Sequence, residues 1–345
     1  MSGRARRPAV LAVDGGGSKI DAALMRADGT VLGAARIPTL EFEENGGQEH
    51  MEQVVDAIES ACADAGIGVD SPVADLGVYC LAGADLPADD RKIARWLRTR
   101  RLTADTVVRN DTFAVLRAGT DRHWGVGVVC GYGTNCAAVS PAGRITRFPA
   151  LGPISGDWGG GGDIGEAALW YAIRAEDGRG AKTALAHLVP AHFGLRKPRQ
   201  VLEAVYYGRI KEDRVVELAP LVFVAAADDD GVARGIVDRQ ADEIVTMVTT
   251  AIKRLRMTKL DVDVVLGGGI FRNDDDAFFG RIRDGVHAVA PAAHFTVLTD
   301  PPVVGAAWLG LDRLGAPRVS YARVRRALTH ARLSKDTRPR RKERT

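Results

Sequence analysis

Cysteine is scarce in this sequence, and long apolar runs are missing. Its 345 residues include four cysteines, which form no Cys-x-x-Cys pair and show no metal-ligand spacing with the seven histidines. This pattern indicates buried, reduced thiols and not a disulfide framework or a zinc site. No apolar run approaches the roughly 20 residues of a membrane-spanning helix, and the basic start leads into a strand that ends at an acid and not into a signal peptide. The sequence therefore predicts a cytoplasmic protein with no membrane partner.

Positive charge is concentrated at the end of the chain. The formal net charge is +3, yet residues 318–345 carry eleven Lys or Arg against two acids. A basic end of this kind can contact nucleic acid or an acidic partner. The simpler interpretation is a solvated, partly disordered tail, so we expect no nucleic-acid partner.

Glycine and apolar residues are abundant. A chain with 46% hydrophobic residues and 39 glycines suits an α/β protein with many tight turns, and its length has room for two domains. Glycine hairpins that begin at Val10 and Val126 recur about 115 residues apart. This recurrence suggests two domains of one design.

Three glycine motifs follow predicted strands. They read Asp14-Gly15-Gly16-Gly17-Ser18-Lys19, Cys130-Gly131-Tyr132-Gly133-Thr134-Asn135 and Gly267-Gly268-Gly269. After the first motif a strand follows, whereas a Walker A loop or a dinucleotide fingerprint requires a helix there. A glycine hairpin can still bind phosphate through its amides, and an acid at a strand end, such as Asp14, can hold Mg²⁺ through water. An ordinary glycine hairpin is the simpler interpretation of any one motif taken alone.

A fourth glycine run lies before a predicted helix. Gly159 to Gly162 follow Asp157-Trp158 and lead into an apolar helix that opens near Asp163. Amides at the start of a helix are free to bind an anion, and the helix dipole adds to the attraction. We therefore expect a second place for phosphate here.

Together these motifs resemble the sugar kinase/actin superfamily, and more narrowly the BadF/BadG/BcrA/BcrD ATPase family with its N-acetylglucosamine kinase branch. The resemblance covers roughly residues 9–314, with the first two motifs matching phosphate motifs and the third matching the adenosine motif. It implies an α/β fold of two ribonuclease H-like (actin-like ATPase) domains with a nucleotide cleft between them. We place these domains at residues 1–115 and 116–317, the second with a helical insertion and a last helix able to pack back on the first. Residues 318–345 form the basic tail.

The resemblance also implies a reaction in which a sugar hydroxyl attacks the γ-phosphate of ATP. Asp111, after the predicted strand that ends near Val108, would be the general base, and Asp14 would orient Mg²⁺ through water. Contacts to ATP would come from Gly15, Gly16, Gly17, Ser18, Lys19, Gly131, Tyr132, Gly133, Thr134, Gly267, Gly268, Gly269 and Asn273. Contacts to the sugar would come from Gly83, Asn110, Asn135, Asp157 and Trp158. We also expect a homodimer.

Several positions depart from the family pattern. Tyr132 stands where such kinases commonly have a small hydroxyl residue, and the segment Thr39–Phe42 lacks the Asn that acetamidosugar kinases usually carry. Ala82 and Trp158 replace a usual Ser and Glu. The acceptor therefore stays open between an amino sugar, such as N-acetylglucosamine or glucosamine, and a sugar-like cyclitol.

Two other functions stay open as well. An ATPase activator of a dehydratase would need cysteines that converge on an iron–sulfur cluster, whereas Cys130 and Cys136 flank a glycine turn. A non-catalytic, ATP-binding regulatory protein would use Tyr132 to block phosphoryl transfer.

Overall fold

The computed structural model describes residues 7–39, 48–69 and 72–335. The chain divides into two compact units. Unit 1 comprises the described residues up to Trp124 together with those from Leu298 onward, and unit 2 is Gly125–Val297. These bounds differ from the predicted domains, because the first unit extends past residue 115 and also receives the end of the chain. The segment Thr39–Phe42 departs from the family pattern, and its residues 40–42 lie outside the described residues.

Unit 1 is built on a five-stranded sheet in the order β3-β2-β1-β4-β5. Its strands are β1 (Val10–Gly15), β2 (Lys19–Met25), β3 (Val31–Pro38), β4 (Ala74–Leu81) and β5 (Thr103–Arg109). The first three strands are antiparallel, and β4 and β5 run parallel to β1. The central strand β1 is buried along its whole length, as its apolar sequence predicts.

Helices cover both faces of this sheet. The first three are α1 (Gln48–Asp64), α2 (Pro87–Arg100) and α3 (Asp111–Gly119). Leu11 and Val13 belong to the core that α1 and α2 cover, whereas Val10 and Ala12 face the opposite side with Ala114 of α3. The alternation along β1 therefore feeds two cores from one strand.

Unit 2 repeats the arrangement. Its strands are β6 (Gly125–Cys130), β7 (Thr134–Val139), β8 (Ile145–Arg147), β9 (Asp263–Gly267) and β10 (His294–Val297), in the order β8-β7-β6-β9-β10. The first three are again antiparallel, with β9 and β10 parallel to β6. Two sheets of identical topology confirm that the two glycine hairpins begin two copies of one design.

A helical stretch separates β8 from β9. It contains α4 (Gly161–Glu176), α5 (Leu185–His192), α6 (Pro198–Tyr206), α7 (Ala219–Ala227) and α8 (Gly231–Arg254), and α9 (Asp276–His287) follows β9. A 3-10 turn over Glu212–Leu218 precedes α7. Among the described residues, no helix has the length and apolarity to cross a membrane.

The chain ends in helices of unit 1. These are α10 (Val303–Leu314), α11 (Arg318–Ala327) and α12 (His330–Leu333). The tail that was predicted to be solvated and partly disordered from residue 318 is helical up to residue 333, and its Val324, Leu328 and Leu333 are fully buried in the core that α10 also lines. Residues 336–345 lie outside the described part.

Ion pairs balance part of the positive charge of this segment. Arg323 lies 2.9 Å from Asp28, and Arg325 lies 2.9 Å from Asp300. The acids that balance these arginines are distant in sequence, so local charge counting misses them.

Candidate functional site

A row of side chains crosses the sheet of unit 1 near the ends of β1, β4 and β5. The strand register aligns Arg36, Asp21, Asp14, Cys80 and Arg109 as successive neighbours. Register neighbours project from the same face of a sheet. Two carboxylates and a thiol therefore lie side by side between two arginines.

Asp111 follows this row at the start of α3. Asn110 is the N-cap of that helix, and its side-chain oxygen accepts hydrogen bonds from the backbone N–H and the hydroxyl of Thr112, at 3.0 and 2.6 Å. The Asn110 amide also donates to Asp85 at 2.9 Å. Asn110 is 1% exposed, so these bonds fix the turn that presents Asp111. The sugar contact expected of Asn110 stays a prediction.

The acids of this cluster have strongly perturbed pKa values. Burial, followed by the negative charges of Asp14 and Asp85, raises the pKa of Asp111 to about 8. Burial raises the pKa of Asp14 to about 7, although Lys19 opposes the change. Both acids also raise the pKa of the Cys80 thiol, after burial. A partly exposed carboxyl with a pKa near neutrality is suited to accept a proton at working pH.

Lys19 is held beside Asp14 by a buried carboxylate. Its Nζ lies 2.8 Å from Asp21 Oδ2 and 3.9 Å from Asp14 Oδ2. Arg36 donates to both oxygens of Asp21, at 2.6 and 2.7 Å. Asp21 is fully buried, and a buried charge requires partners of this kind. The pair Asp21–Arg36 therefore positions Lys19.

His330 of α12 extends the same network. Its Nε2 lies 3.1 Å from the carbonyl oxygen of Thr299, so Nε2 donates and Nδ1 accepts from Arg36 at 3.3 Å. Partial burial lowers the pKa of His330, which keeps the ring neutral at neutral pH. The last helix of unit 1 thus contacts the charged row.

The first glycine loop is a tight turn tied to its surroundings. The N–H of Gly16 donates to the carbonyl of Lys19 at 2.9 Å, and Ala82 donates to the carbonyl of Gly15 at 2.7 Å. A Cβ on Gly15 would lie 2.7 Å from the Leu81 side chain, whereas one on Gly16 would lie 3.9 Å from the Lys19 carbonyl oxygen, an ordinary contact. Ser18 is exposed at the turn. The phosphate contacts of Gly15, Gly16, Gly17 and Ser18 stay predictions.

The second glycine loop, in unit 2, packs against the start of α4. Gly161 donates to the carbonyl of Gly131 at 2.8 Å, and Gly162 donates to that of Tyr132 at 2.9 Å. A Cβ on Gly160 would lie 2.3 Å from the backbone carbonyl oxygen of Tyr132. The glycine run therefore allows the helix to approach the loop closely.

The same contacts overturn one expectation. Gly159 and Gly160 both donate to Asp163 Oδ2, at 2.9 and 3.1 Å, and the amides of the next two glycines are bonded to the loop. The prediction that this glycine run offers free amides to an anion is therefore wrong. Its function in the structure is close packing.

Residues predicted to line the second loop have internal contacts. The Thr134 hydroxyl lies 3.2 Å from the Cys130 sulfur, and the buried Asn135 accepts a hydrogen bond from the N–H of Cys136 at 2.7 Å. Tyr132 is 47% exposed. Their predicted ligand contacts are neither supported nor excluded by these bonds.

Asp157 and Trp158 lie in the loop before α4. Asp157 accepts a hydrogen bond from the Ser155 hydroxyl. The guanidinium of Arg239 in α8 lies 3.9 Å from the centre of the Trp158 ring. A cation–π contact therefore occupies one face of Trp158, which leaves at most the other for a sugar.

The third glycine motif adjoins the second loop within unit 2. Gly268 has a φ of +109°, and a Cβ there would lie 2.2 Å from the carbonyl oxygen of Cys130. Gly269 faces open space. Asn273 donates to the carbonyl of Ile270 at 2.6 Å and accepts from the N–H of Asp275 at 2.8 Å. Asn273 thus shapes the turn into α9, and its nucleotide contact stays a prediction.

Asp14 and Asp111 suit a magnesium ion. Within the described residues, no three His, Cys, Asp or Glu side chains converge as a metal site. Mg²⁺ commonly needs only one or two carboxylates, completed by substrate phosphates and water. The negative charge of Asp14 raises the pKa of Asp111, and a divalent cation would relieve this repulsion.

The sequence analysis missed several residues of this site. Asp85, Asp21, Arg36 and His330 were not predicted. Asp85 contacts the predicted Asn110 and Asp21 contacts the predicted Lys19, whereas Arg36 joins the site through Asp21 and His330 through Arg36. A charged residue within the apolar strand Lys19–Met25 is the available signal for Asp21. The partners of that charge become visible only with the strand register.

Comparison with known proteins identifies the class first. Two α/β units with one shared strand order define the actin-like fold of sugar kinases. The crystal structure of a candidate N-acetylglucosamine kinase from Chromobacterium violaceum matches with a TM-score of 0.68 at 22% identity, covering 88% of this chain and 99% of that chain. The predicted fold is thereby confirmed.

The family follows from the sequence match. The model of the BadF/BadG/BcrA/BcrD ATPase family matches residues 11–310, and the chain belongs to this family. The N-acetylmuramic acid/N-acetylglucosamine kinase of Clostridium acetobutylicum is 26% identical over 267 residues, which are 76% of this chain and 86% of the relative. The N-acetyl-D-glucosamine kinase of Dictyostelium discoideum is 25% identical over 320 residues, 88% of this chain and 97% of the relative. Helices α11 and α12 lie beyond the matched range.

Proposed function

We propose that the protein is an ATP- and Mg²⁺-dependent kinase that phosphorylates a hydroxyl of an amino sugar in the cytoplasm, acting as a homodimer. The observation that carries the proposal is Asp111, a partly exposed carboxyl with a pKa of about 8, next to Asp14 and at the edge of a sheet where three strands end. Family membership and the names of two relatives aligned over most of their length support the same reaction.

Asp111 is the general base of the proposed reaction. As the sugar oxygen bonds to the γ-phosphorus, the bond between that phosphorus and the β–γ bridging oxygen breaks, and ADP leaves. The hydroxyl proton passes to Asp111 and then to solvent. The hydrogen bonds of Asn110 keep the carboxyl at the start of α3, where it faces the acceptor.

Charge on the transferring phosphate is balanced by residues of the charged row. Lys19, positioned by Asp21, donates to a phosphate oxygen, and Asp14 holds Mg²⁺ through water. Bound Mg²⁺ supplies positive charge to the phosphate oxygens. In unit 1 the amides of Gly16 and Gly17 contact the phosphates, and in unit 2 Gly268-Gly269 lets adenosine approach the backbone.

The acceptor is an amino sugar in this proposal, with N-acetylglucosamine first and N-acetylmuramic acid, glucosamine and a cyclitol as alternatives. A panel of these compounds with ATP, read by ADP release, identifies it. Addition of EDTA tests the metal requirement, and sedimentation equilibrium tests the dimer.

The decisive variant is Asp111→Asn. We expect turnover to fall by about 10² or more with ATP binding unchanged, since a neutral amide cannot accept the proton. Asp105→Asn is the matched control, because it makes the same change in β5 at an exposed residue paired with Arg313. Undiminished turnover in Asp111→Asn would remove Asp111 from the mechanism.

One observation favours a second candidate, a nucleotide-binding regulator without catalysis. Tyr132 is a bulky, 47% exposed side chain on the second glycine loop. This alternative would be supported if the protein bound ATP but phosphorylated no acceptor in the panel, and if Tyr132→Ser restored phosphorylation.

A further inference from the structure

A groove of about 890 Å³ lies in unit 1 between α2 and β5. Five of its eleven lining residues are arginines, and the one acid is Asp90. The arginines are Arg91, Arg95, Arg98, Arg101 and Arg109. Of the lining residues, only Arg109 belongs to the charged row. The proposed kinase reaction does not use this groove.

Three of these arginines form one face of α2. Arg91, Arg95 and Arg98 are spaced i, i+4 and i+7, so their side chains lie on one side of the helix. All three are exposed, and within the described part of the chain none makes a hydrogen bond or an ion pair through its side chain. Like charges at this spacing destabilise a helix slightly. The repulsion between these three arginines therefore lowers the stability of the helix, and among the described residues no hydrogen bond or ion pair of their side chains offsets it.

Several other arginines of unit 1 have acidic partners. Arg100, on the same helix, pairs with Glu52, and Arg313 pairs with Asp105 at 2.9 Å. The three unpaired arginines of α2 share one helix face, and that face lines the groove.

The strand side of the groove is a backbone edge. Among the described residues, β5 is the last strand of its sheet and pairs with β4 alone. Four consecutive residues, Thr106–Arg109, line the groove. Side chains alternate between the two faces of a strand, so four consecutive residues share one groove only through the strand edge. The groove therefore places backbone groups of a strand edge beside guanidinium groups, and of these the N–H of Thr106 donates to Asp105 Oδ1 at 2.8 Å.

We propose that this groove binds an acidic peptide segment of a partner protein, in extended conformation, as an added strand beside β5. Backbone N–H groups of a peptide suit the carbonyls of a strand edge, whereas phosphate oxygens would meet repulsion there. Carboxylates match guanidinium groups in bidentate geometry. Arg91 and Arg95 are separated by about 6 Å along the helix axis, close to the roughly 7 Å between alternate residues of a strand. The fitting segment has Asp or Glu at alternate positions.

The test uses the full-length protein and a labelled dodecapeptide of alternating Thr and Glu. Fluorescence anisotropy measures binding, and hydrogen exchange measures protection of the amides of residues 103–109. We expect binding that weakens with added salt, together with slower exchange in β5. A peptide of alternating Thr and Lys should not bind.

The triple substitution Arg91→Gln, Arg95→Gln, Arg98→Gln should weaken binding on the order of tenfold or more. A control triple variant removes the same charge from exposed residues outside the groove and should leave the affinity for the peptide unchanged. Its substitutions are Lys92→Gln, Arg196→Gln and Arg209→Gln. If the first triple variant fails to fold by circular dichroism, Arg95→Gln alone should still weaken binding a few-fold.

Equal affinity in the groove and control variants would overturn the proposal, as would binding without protection of residues 103–109. Tripolyphosphate and a 12-nucleotide single-stranded DNA are the competing probes. If either binds more tightly than the acidic peptide and loses affinity in the groove variant, the groove is a polyphosphate site and the peptide proposal is wrong.

Discussion

Replacing Asp14 by Asn tests the electrostatics of the charged row without reference to catalysis. Burial raises the pKa of Asp14 from 3.8 to about 7 and contributes most to the value of about 8 at Asp111. In the unfolded chain both carboxyls ionise near pH 4. Because the folded pKa values are the higher ones, the stability these groups contribute is complete below about pH 4 and is lost as pH rises through 7 and 8.

The size of the effect follows from the shift. A change of about 3 pKa units corresponds to roughly 4 kcal/mol as an upper bound, and Asp14 is only 6% exposed, so water screens little of it. For a chain of this length we expect a difference in melting temperature of roughly 5–10 °C. Asp14→Asn also removes one cause of the raised pKa of Asp111, which adds in the same direction.

The measurement is thermal unfolding from pH 4 to pH 9 in EDTA. Wild type should lose stability from pH 4 up to about pH 8, and Asp14→Asn should match it near pH 4 and exceed it at pH 8 to 9. Asp28→Asn is the control, because hydrogen bonds from Thr30 hold the pKa of that exposed carboxyl below its usual range. That control should lose stability at neutral pH and gain none at high pH. A constant loss in Asp14→Asn at every pH would refute the reasoning.

The remaining predictions concern the backbone, the buried pair and the rate. Gly268→Ala should destabilise unit 2 by several kcal/mol, because the new Cβ would lie 2.2 Å from the Cys130 carbonyl at positive φ, whereas Gly269→Ala should change the unfolding free energy by under about 1 kcal/mol. Equal calorimetric shifts would contradict this contrast. Asp21→Asn should lower the unfolding free energy measured by urea denaturation by about 3 kcal/mol. It should also weaken ATP binding measured by titration calorimetry, since Lys19 loses the carboxylate that positions it. Unchanged ATP affinity would show that Lys19 does not contact the nucleotide. In the proposed reaction kcat/KM should rise with pH to a plateau above about 8, where Asp111 is ionised, and a flat profile from pH 6 to 9 would exclude Asp111 as base.

Local patterns in the sequence determined much of the fold. Apolar strands that end in glycine turns predicted β1 and β6, because a short buried strand and a turn need only nearby residues. The recurrence of that pattern predicted two copies of one design, and the glycine motifs with Asp111 predicted the family. These features are written within a few residues of each other.

The tertiary structure alone decided which charges meet. The row from Arg36 to Arg109 joins side chains from every strand of one sheet, and only strand register brings them together. The first two amides of α4 bond to a loop about thirty residues earlier, so their apparent freedom in the sequence is lost. The arginines of α11 form ion pairs with acids, such as Asp28, that lie far away along the chain. Hydrogen bonds and ion pairs depend on distance in space, and for these residues distance along the chain carries no information about it.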